Sequence, residues 1–316
     1  MAKDWTTKRI LIFLAFAFGV PWAAALVITL SGMLAANPAQ AVALANTVFI
    51  STPWLANIAA RLVTREGWGN LWLRPNLGRG WPFYLAVWLL PFLATVVGGT
   101  VFYLLYPQSF DPNLSAVRGL LQGTPEAAAA NPWAILLTVT LSLMFIASLI
   151  NMVASMGEEF GWRAYLLPKL VERFGGAESA SGARKAALLT GLIHGVWHWP
   201  LLLMGASFVP GFSFLNLLLY LVLTIALSIL VSWAVLRSGS VWPAALGHGV
   251  LNATSALPGF LLAGAAIPLV GPEPTGLIGG IGYTLLALVL FFTPGAFAGR
   301  KEAGPEPIKS SPTPVS

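Results

Sequence analysis

Two adjacent carboxylates, Glu158 and Glu159, sit in Gly157-Glu-Glu-Phe-Gly-Trp-Arg163, directly after an apolar run from Pro132 to Ala154. A charge at the centre of a bilayer costs about 2.5–3.5 kcal/mol on insertion scales, so such residues persist where they face a protein interior or a water-filled cavity and have a partner. Glu159 and Arg163 are four apart and share a helix face, glutamate first, the better order for an ion pair. Glu158 points about 100° away on a helix of 3.6 residues per turn, which leaves it free. The chain has three histidines. His194 and His198 lie four apart in Gly191-Leu-Ile-His-Gly-Val-Trp-His-Trp-Pro200, where Pro200 bends or ends the helix. His248 and Asn252 lie four apart in Gly247-His-Gly-Val-Leu-Asn252. Three apolar segments thus each carry a polar pair at helical spacing. The plainest reading is ordinary interhelical hydrogen bonding. Three such pairs together point instead to a buried site.

The chemistry open to this set is narrow. Cysteine is absent, and so is a Gly-x-Ser-x-Gly nucleophile elbow, which leaves water as the nucleophile. A desolvated Glu158 can act as general base near neutral pH, with an imidazole orienting the water and passing on its proton. A second imidazole and an amide N–H can hold the oxyanion of a tetrahedral intermediate, each donor worth about 3–4 kcal/mol. The reaction this suits is peptide-bond hydrolysis without a covalent enzyme intermediate. A metal version competes with it. His194 and His198 have the spacing of a zinc helix, but Gly195 stands where His-Glu-x-x-His would put its base. Glu158 and His248 could complete a zinc site with these two across helices. The reading without a cofactor is taken first, with zinc as its alternative.

These residues must be positioned by membrane helices. Of 316 residues, 57% are hydrophobic and 9% charged, against about 25% charged in soluble domains. The expected fold is an all-α, polytopic transmembrane bundle of about eight helices, near 10–30, 40–62, 82–106, 133–156, 186–204, 213–236, 241–263 and 277–297, each close to the ~20 residues a bilayer needs. The fourth continues past the membrane into the Glu-Glu segment. If the spans alternate, sixteen of the seventeen Lys and Arg residues fall on one side, with Arg118 alone opposite. Both termini are then expected in the cytoplasm, and the net charge of +6 reflects cytoplasmic loops rather than nucleic-acid binding. Lys8-Arg9, the following apolar run and Ala39-Gln40-Ala41 imitate a signal peptide, but the run exceeds an h-region and the would-be cleavage site lies beyond Pro38. Segment 107–131 reads as a polar external loop with a short helix at 124–130. Residues 300–316 read as a disordered cytoplasmic tail.

At these residues the chain resembles the CAAX protease and bacteriocin-processing (CPBP, or ABI) family of intramembrane endopeptidases, which includes the type II CAAX prenyl endopeptidases. The family pattern is Glu-Glu-x-x-x-Arg, Phe-x-x-x-His and His-x-x-x-Asn. The first is Glu158-Glu159-Phe-Gly-Trp-Arg163 and the third His248-Gly-Val-Leu-Asn252. In the second, His194 takes the Phe position and His198 the His position, with Trp197-His198-Trp199-Pro200 resembling bacterial members. The resemblance implies that Glu158 and His198 activate water, that His248 and Asn252 form the oxyanion site, and that Glu159 and Arg163 brace the helix. His194 would be a supporting, substrate-facing or extra metal-ligating residue. The chain then divides into helices 1–3 with the external loop (1–130), a catalytic core (131–265), a last transmembrane helix (266–299) and the tail (300–316). The expected substrate is a membrane-associated or lipid-modified peptide or protein, cut within the plasma membrane of a bacterium at a site open toward the cytoplasm. Two other readings stand beside it. One is a proton-coupled transporter, which buried Glu and His relays also suit. The other is a bacteriocin-immunity or scaffold membrane protein that binds without cleaving.

Overall fold

The computed structural model describes residues 2–120, 131–176, 178–206 and 212–298. The expected helix at 124–130 and the tail at 300–316 lie outside them. The described residues are helical, with two isolated bridges, Phe110–Leu262 and Ile267–Gly271, as their only extended pairings. The principal helices are α1 (Ala2–Leu30), α2 (Pro38–Thr64), α3 (Leu77–Leu105), α4 (Pro132–Arg173), α5 (Ala180–Gly205), α6 (Phe214–Ser238), α7 (Trp242–Thr254) and α8 (Ile281–Phe292).

Helices α1 to α6 are long and apolar enough to cross a membrane. Their outward faces are rich in large apolar side chains. On α4, Leu141, Phe145, Ile146, Leu149, Ile150 and Val153 are all exposed. In water such a belt would be a liability; against lipid tails it is the required surface. The chain is a multi-pass membrane protein. The two last elements are shorter than the expected spans. Helix α7 has 13 residues and α8 has 12, about 20 Å each at 1.5 Å per residue, against a hydrocarbon core of ~30 Å. Between them the sequence turns to Gly and Pro, and Leu257–Leu261 forms a 3-10 turn in place of helix.

Helix α7 is the centre of the bundle. All its residues but Trp242 and Asn252 are buried, and it packs against α4, α3 and α6. Helices α5 and α6 pair, as do α1 and α2, and α2 lies along α4. Glycine allows these approaches, as small residues do where lipid supplies no hydrophobic drive between helices. A Cβ on Gly249 of α7 would lie 2.5 Å from the Met152 nitrogen of α4. A Cβ on Gly161 of α4 would lie 2.5 Å from the Pro53 carbonyl oxygen of α2, and one on Gly191 of α5 2.7 Å from the Ile225 Cα of α6.

Helix α4 runs unbroken for 42 residues, as the sequence indicates. It is not uniform. Two π-turns, Leu143–Ala147 and Trp162–Leu166, interrupt its α geometry. Helix α5 bends at His198, where the His198 amide bonds to Gly195 O at 3.2 Å.

Candidate active site

Glu158 lies 15 residues before the end of α4 at Arg173, and His194 lies 14 residues after the start of α5 at Ala180. The two helices are joined by a short turn, so these positions come level. Glu158 Oε2 is 2.8 Å from His194 Nε2 and 3.9 Å from His198 Nε2. On the adjacent face, Glu159 Oε1 accepts from Arg163 Nη1 at 2.9 Å and from His248 Nδ1 at 2.9 Å. Arg163 Nη1 also lies 3.1 Å from His194 Nδ1. The result is one buried circuit from Glu158 through His194, Arg163 and Glu159 to His248. Glu159 and Arg163 are wholly buried and the other three nearly so.

The hydrogen bonds fix the tautomers. A guanidinium only donates, so His194 Nδ1 accepts from Arg163, and the proton of the neutral ring is on Nε2, facing Glu158. A carbonyl only accepts, so His198 Nδ1, 3.1 Å from His194 O, donates, and its Nε2 carries a lone pair. His248 donates Nδ1–H to Glu159, which leaves its Nε2 as the second point of action. Around the rings, Trp162 stacks on His194 with centroids 5.3 Å apart, and Tyr220 meets His198 edge-on at 5.2 Å.

A cavity of about 260 Å³ opens beside this circuit, lined by His194, His198, His248 and Asn252, with Tyr220, Thr224 and Glu273 among its other walls. Glu158 is outside the lining and adjoins it through His194 and His198. Asn252 is exposed, one helical turn beyond His248. All four residues given catalytic roles from sequence therefore meet at or against one cavity. Their order differs from the expectation. The ring in contact with Glu158 is that of His194, and His198 stands farther off, because α5 bends at His198 and ties its Nδ1 to the backbone. The lining comes from the later half of α5, the first half of α6 and the last turns of α7, and continues into Ser255, Ala256 and Glu273. These are the ends away from Arg184, Lys185 and Arg237. The cavity lining thus belongs to the end poor in basic residues.

Tyr220 and Thr224 were missed, although a signal existed. Asn216, Tyr220, Thr224, Ser228 and Ser232 repeat every four residues in a mostly apolar span. Glu273 lies in a Gly-Pro-Glu-Pro loop, and nothing in its local sequence ties it to the site.

The residues able to approach a metal are Glu158, His194 and His198, whose ligand atoms lie within 4.8 Å of one another. Their spacing suits a cation, but their protonation does not. A neutral His194 offers a metal its Nε2 lone pair only if the proton moves to Nδ1, where Arg163 donates. A zinc site would also place a divalent cation beside that guanidinium. The donor set thus fits zinc poorly as it stands.

A family description, Type II CAAX prenyl endopeptidase Rce1-like, matches residues 140–254. The match agrees with the resemblance drawn from the three motifs, and it takes in Glu158, Arg163, His194, His198, His248 and Asn252. No curated protein matches the chain. The matched segment spans α4 beyond its first turns, all of α5 and α6, and α7 to its final residue.

Proposed function

We propose that the chain is a CAAX-type intramembrane endopeptidase that hydrolyses peptide bonds of a membrane-associated or lipid-modified substrate with a glutamate-activated water. The observation that carries this is the carboxylate of Glu158 held by His194 N–H at 2.8 Å, with a second acceptor, His198 Nε2, 3.9 Å away beside a cavity. Two acceptors at that separation can share one water, each taking one of its hydrogens. Glu158 accepts the proton as the water oxygen attacks the scissile carbonyl carbon. The carbonyl oxygen becomes an oxyanion, for which Asn252 N–H and His248 are the available donors. His248 donates from Nε2 only as an imidazolium, and Glu159 is then its counter-charge. Collapse of the intermediate breaks the C–N bond, and the proton held by Glu158 passes to the leaving amine.

In this reading His194 orients the base and Arg163 holds His194 in the one tautomer that can do so. The Arg163–His194 contact also favours the cofactor-free form over the zinc form. The core of the enzyme is residues 131–265, both termini lie in the cytoplasm, and the membrane is a bacterial plasma membrane.

The test is cleavage of membrane peptides by purified protein in detergent, comparing wild type with Glu158→Gln, His194→Ala and His248→Ala, each with and without chelator. We expect Glu158→Gln to lose activity by at least ~10²-fold, the scale on which a general base contributes, and chelation to change nothing. Full turnover by Glu158→Gln would remove the carboxylate from the mechanism. Loss on chelation with recovery on zinc would transfer the chemistry to the metal.

A further inference from the structure

Among the described residues lining the catalytic cavity, Glu273 is the one acidic side chain, and no lysine or arginine lines it. No basic group of the described residues lies within ion-pair distance of its carboxylate. Its Oε1 lies over Gly259, where even a methyl group would come within 3.0 Å. Tyr103, nearby on α3, is already engaged, its hydroxyl donating to Pro258 O at 2.6 Å. Asp111, on the adjoining loop, is spent on the backbone amides of Asn113 and Ser115 at 2.9 and 2.6 Å. Glu273 is therefore a carboxyl side chain beside the site with no basic partner among the described residues, at the end of the molecule poor in basic residues.

The loop that carries it is firmly seated. Gly276 N donates to Glu273 O at 2.9 Å, Leu277 N to Leu269 O at 2.8 Å and Ile278 N to Val270 O at 2.9 Å. Pro272 and Pro274 flank the glutamate, and each proline fixes its own φ. The loop is also pressed onto α3, since a Cβ on Gly98 would fall 2.7 Å from the Gly279 carbonyl carbon. A half-buried carboxylate carried on so well seated a loop exerts a field on whatever enters the cavity.

We propose that Glu273 is a specificity-determining residue that selects substrates with a lysine or arginine side chain close to the scissile bond, and disfavours substrates bearing a carboxylate there. Resting on the endopeptidase reading above, it narrows the substrate class to apolar membrane peptides with a cation near the cut, entering from the end poor in basic residues. The ammonium or guanidinium pairs with Glu273 while the peptide carbonyl lies at Asn252 and His248.

The experiment uses full-length protein in detergent and quenched fluorogenic peptides, all N-acetylated and C-amidated. These are identical apolar sequences with a single central lysine, glutamine or glutamate. The readout is the lysine-to-glutamate ratio of kcat/KM within each variant, which a general loss of activity does not move. In wild type we expect a ratio of about 5, the upper end for one partly exposed ion pair. Glu273→Gln should bring it near unity, Glu273→Lys should invert it and Glu273→Asp should retain it. An unchanged ratio in Glu273→Gln overturns the proposal. If wild type cuts none of the peptides, the endopeptidase reading fails on its own. The same ratio, read as Kd by fluorescence anisotropy on the Glu158→Gln protein, then decides Glu273 by the same criteria.

Discussion

Arg163 is the residue on which the buried circuit turns. It is wholly buried, bonded to Glu159 at 2.9 Å and set against His194 at 3.1 Å. Removing one partner of a buried pair leaves the other charge uncompensated, at a cost of about 3–5 kcal/mol. Arg163→Gln should therefore lower the unfolding midpoint in detergent sharply, and the double variant Glu159→Gln/Arg163→Gln should recover part of the loss. A single variant as stable as wild type would show that the pair holds nothing together. The pairing of Glu159 with Arg163 was legible in their spacing. The distribution of roles between His194 and His198 was not. Both rings share a helix face, and only the bend at His198, with its Nδ1 turned to the His194 carbonyl at 3.1 Å, decides which one reaches Glu158. Nor could spacing join His248 to Glu159, because that contact depends on how two distant helices cross.

At the scale of elements, three of the chemical residues stand beside a glycine at a tight helix crossing. Glu158 follows Gly157, His194 precedes Gly195, and His248 lies between Gly247 and Gly249. Gly249→Ala would drive a methyl group toward the backbone of α4, with Met152 N at 2.5 Å and Ser148 O at 2.7 Å. Overpacking of this kind costs about 1–3 kcal/mol, and it would shift His248, the neighbouring residue. We expect lower stability and a fall in kcat larger than any rise in KM. Gly78→Ala, at the start of α3 with nothing within 4 Å, is the control, and it should be neutral or stabilising by up to about 1 kcal/mol. Equal losses in the two variants would refute the crossing argument. Existence and order of the six long helices were legible in hydropathy. The half-length of α7 was not, because its apolar sequence runs on past Thr254 and only Pro258 and the following glycines mark the change.

For the molecule as a whole, a polar cluster closes the basic end. Glu66, after α2, pairs with Lys169 of α4 and Arg9 of α1, and Tyr165 donates to it at 3.2 Å. Burial raises the Glu66 pKa, but Lys169 chiefly, with Arg9 and Arg61, more than offsets this and holds it below the usual 4.5. A carboxylate with a depressed folded-state pKa contributes stability that is present above its unfolded value and is lost as pH falls through the folded one. The unfolding midpoint should therefore drop more steeply in wild type than in Glu66→Gln between about pH 5 and about pH 3. Parallel curves would exclude Glu66 as the acid-sensitive group. Orientation is checked by labelling, since the chain contains no cysteine. In intact cells we expect Asn113→Cys to react with an impermeant maleimide and Lys185→Cys to react only after permeabilisation. The reverse pattern would invert the bundle and turn the cavity toward the cytoplasm.

The π-turn at Trp162–Leu166 begins immediately after the segment that supplies both carboxylates. A π-turn is in effect one residue inserted into an α-helix, so everything downstream is rotated by about 100° relative to an uninterrupted rod. Lys169 pairs with Glu66 from that rotated register. Excising a single residue from this turn would straighten the rod and swing the lysine away from its carboxylate, while leaving Glu158 and Glu159 facing as they do. The catalytic face and the anchoring face of one continuous rod are thus phased independently, by a single extra residue between them.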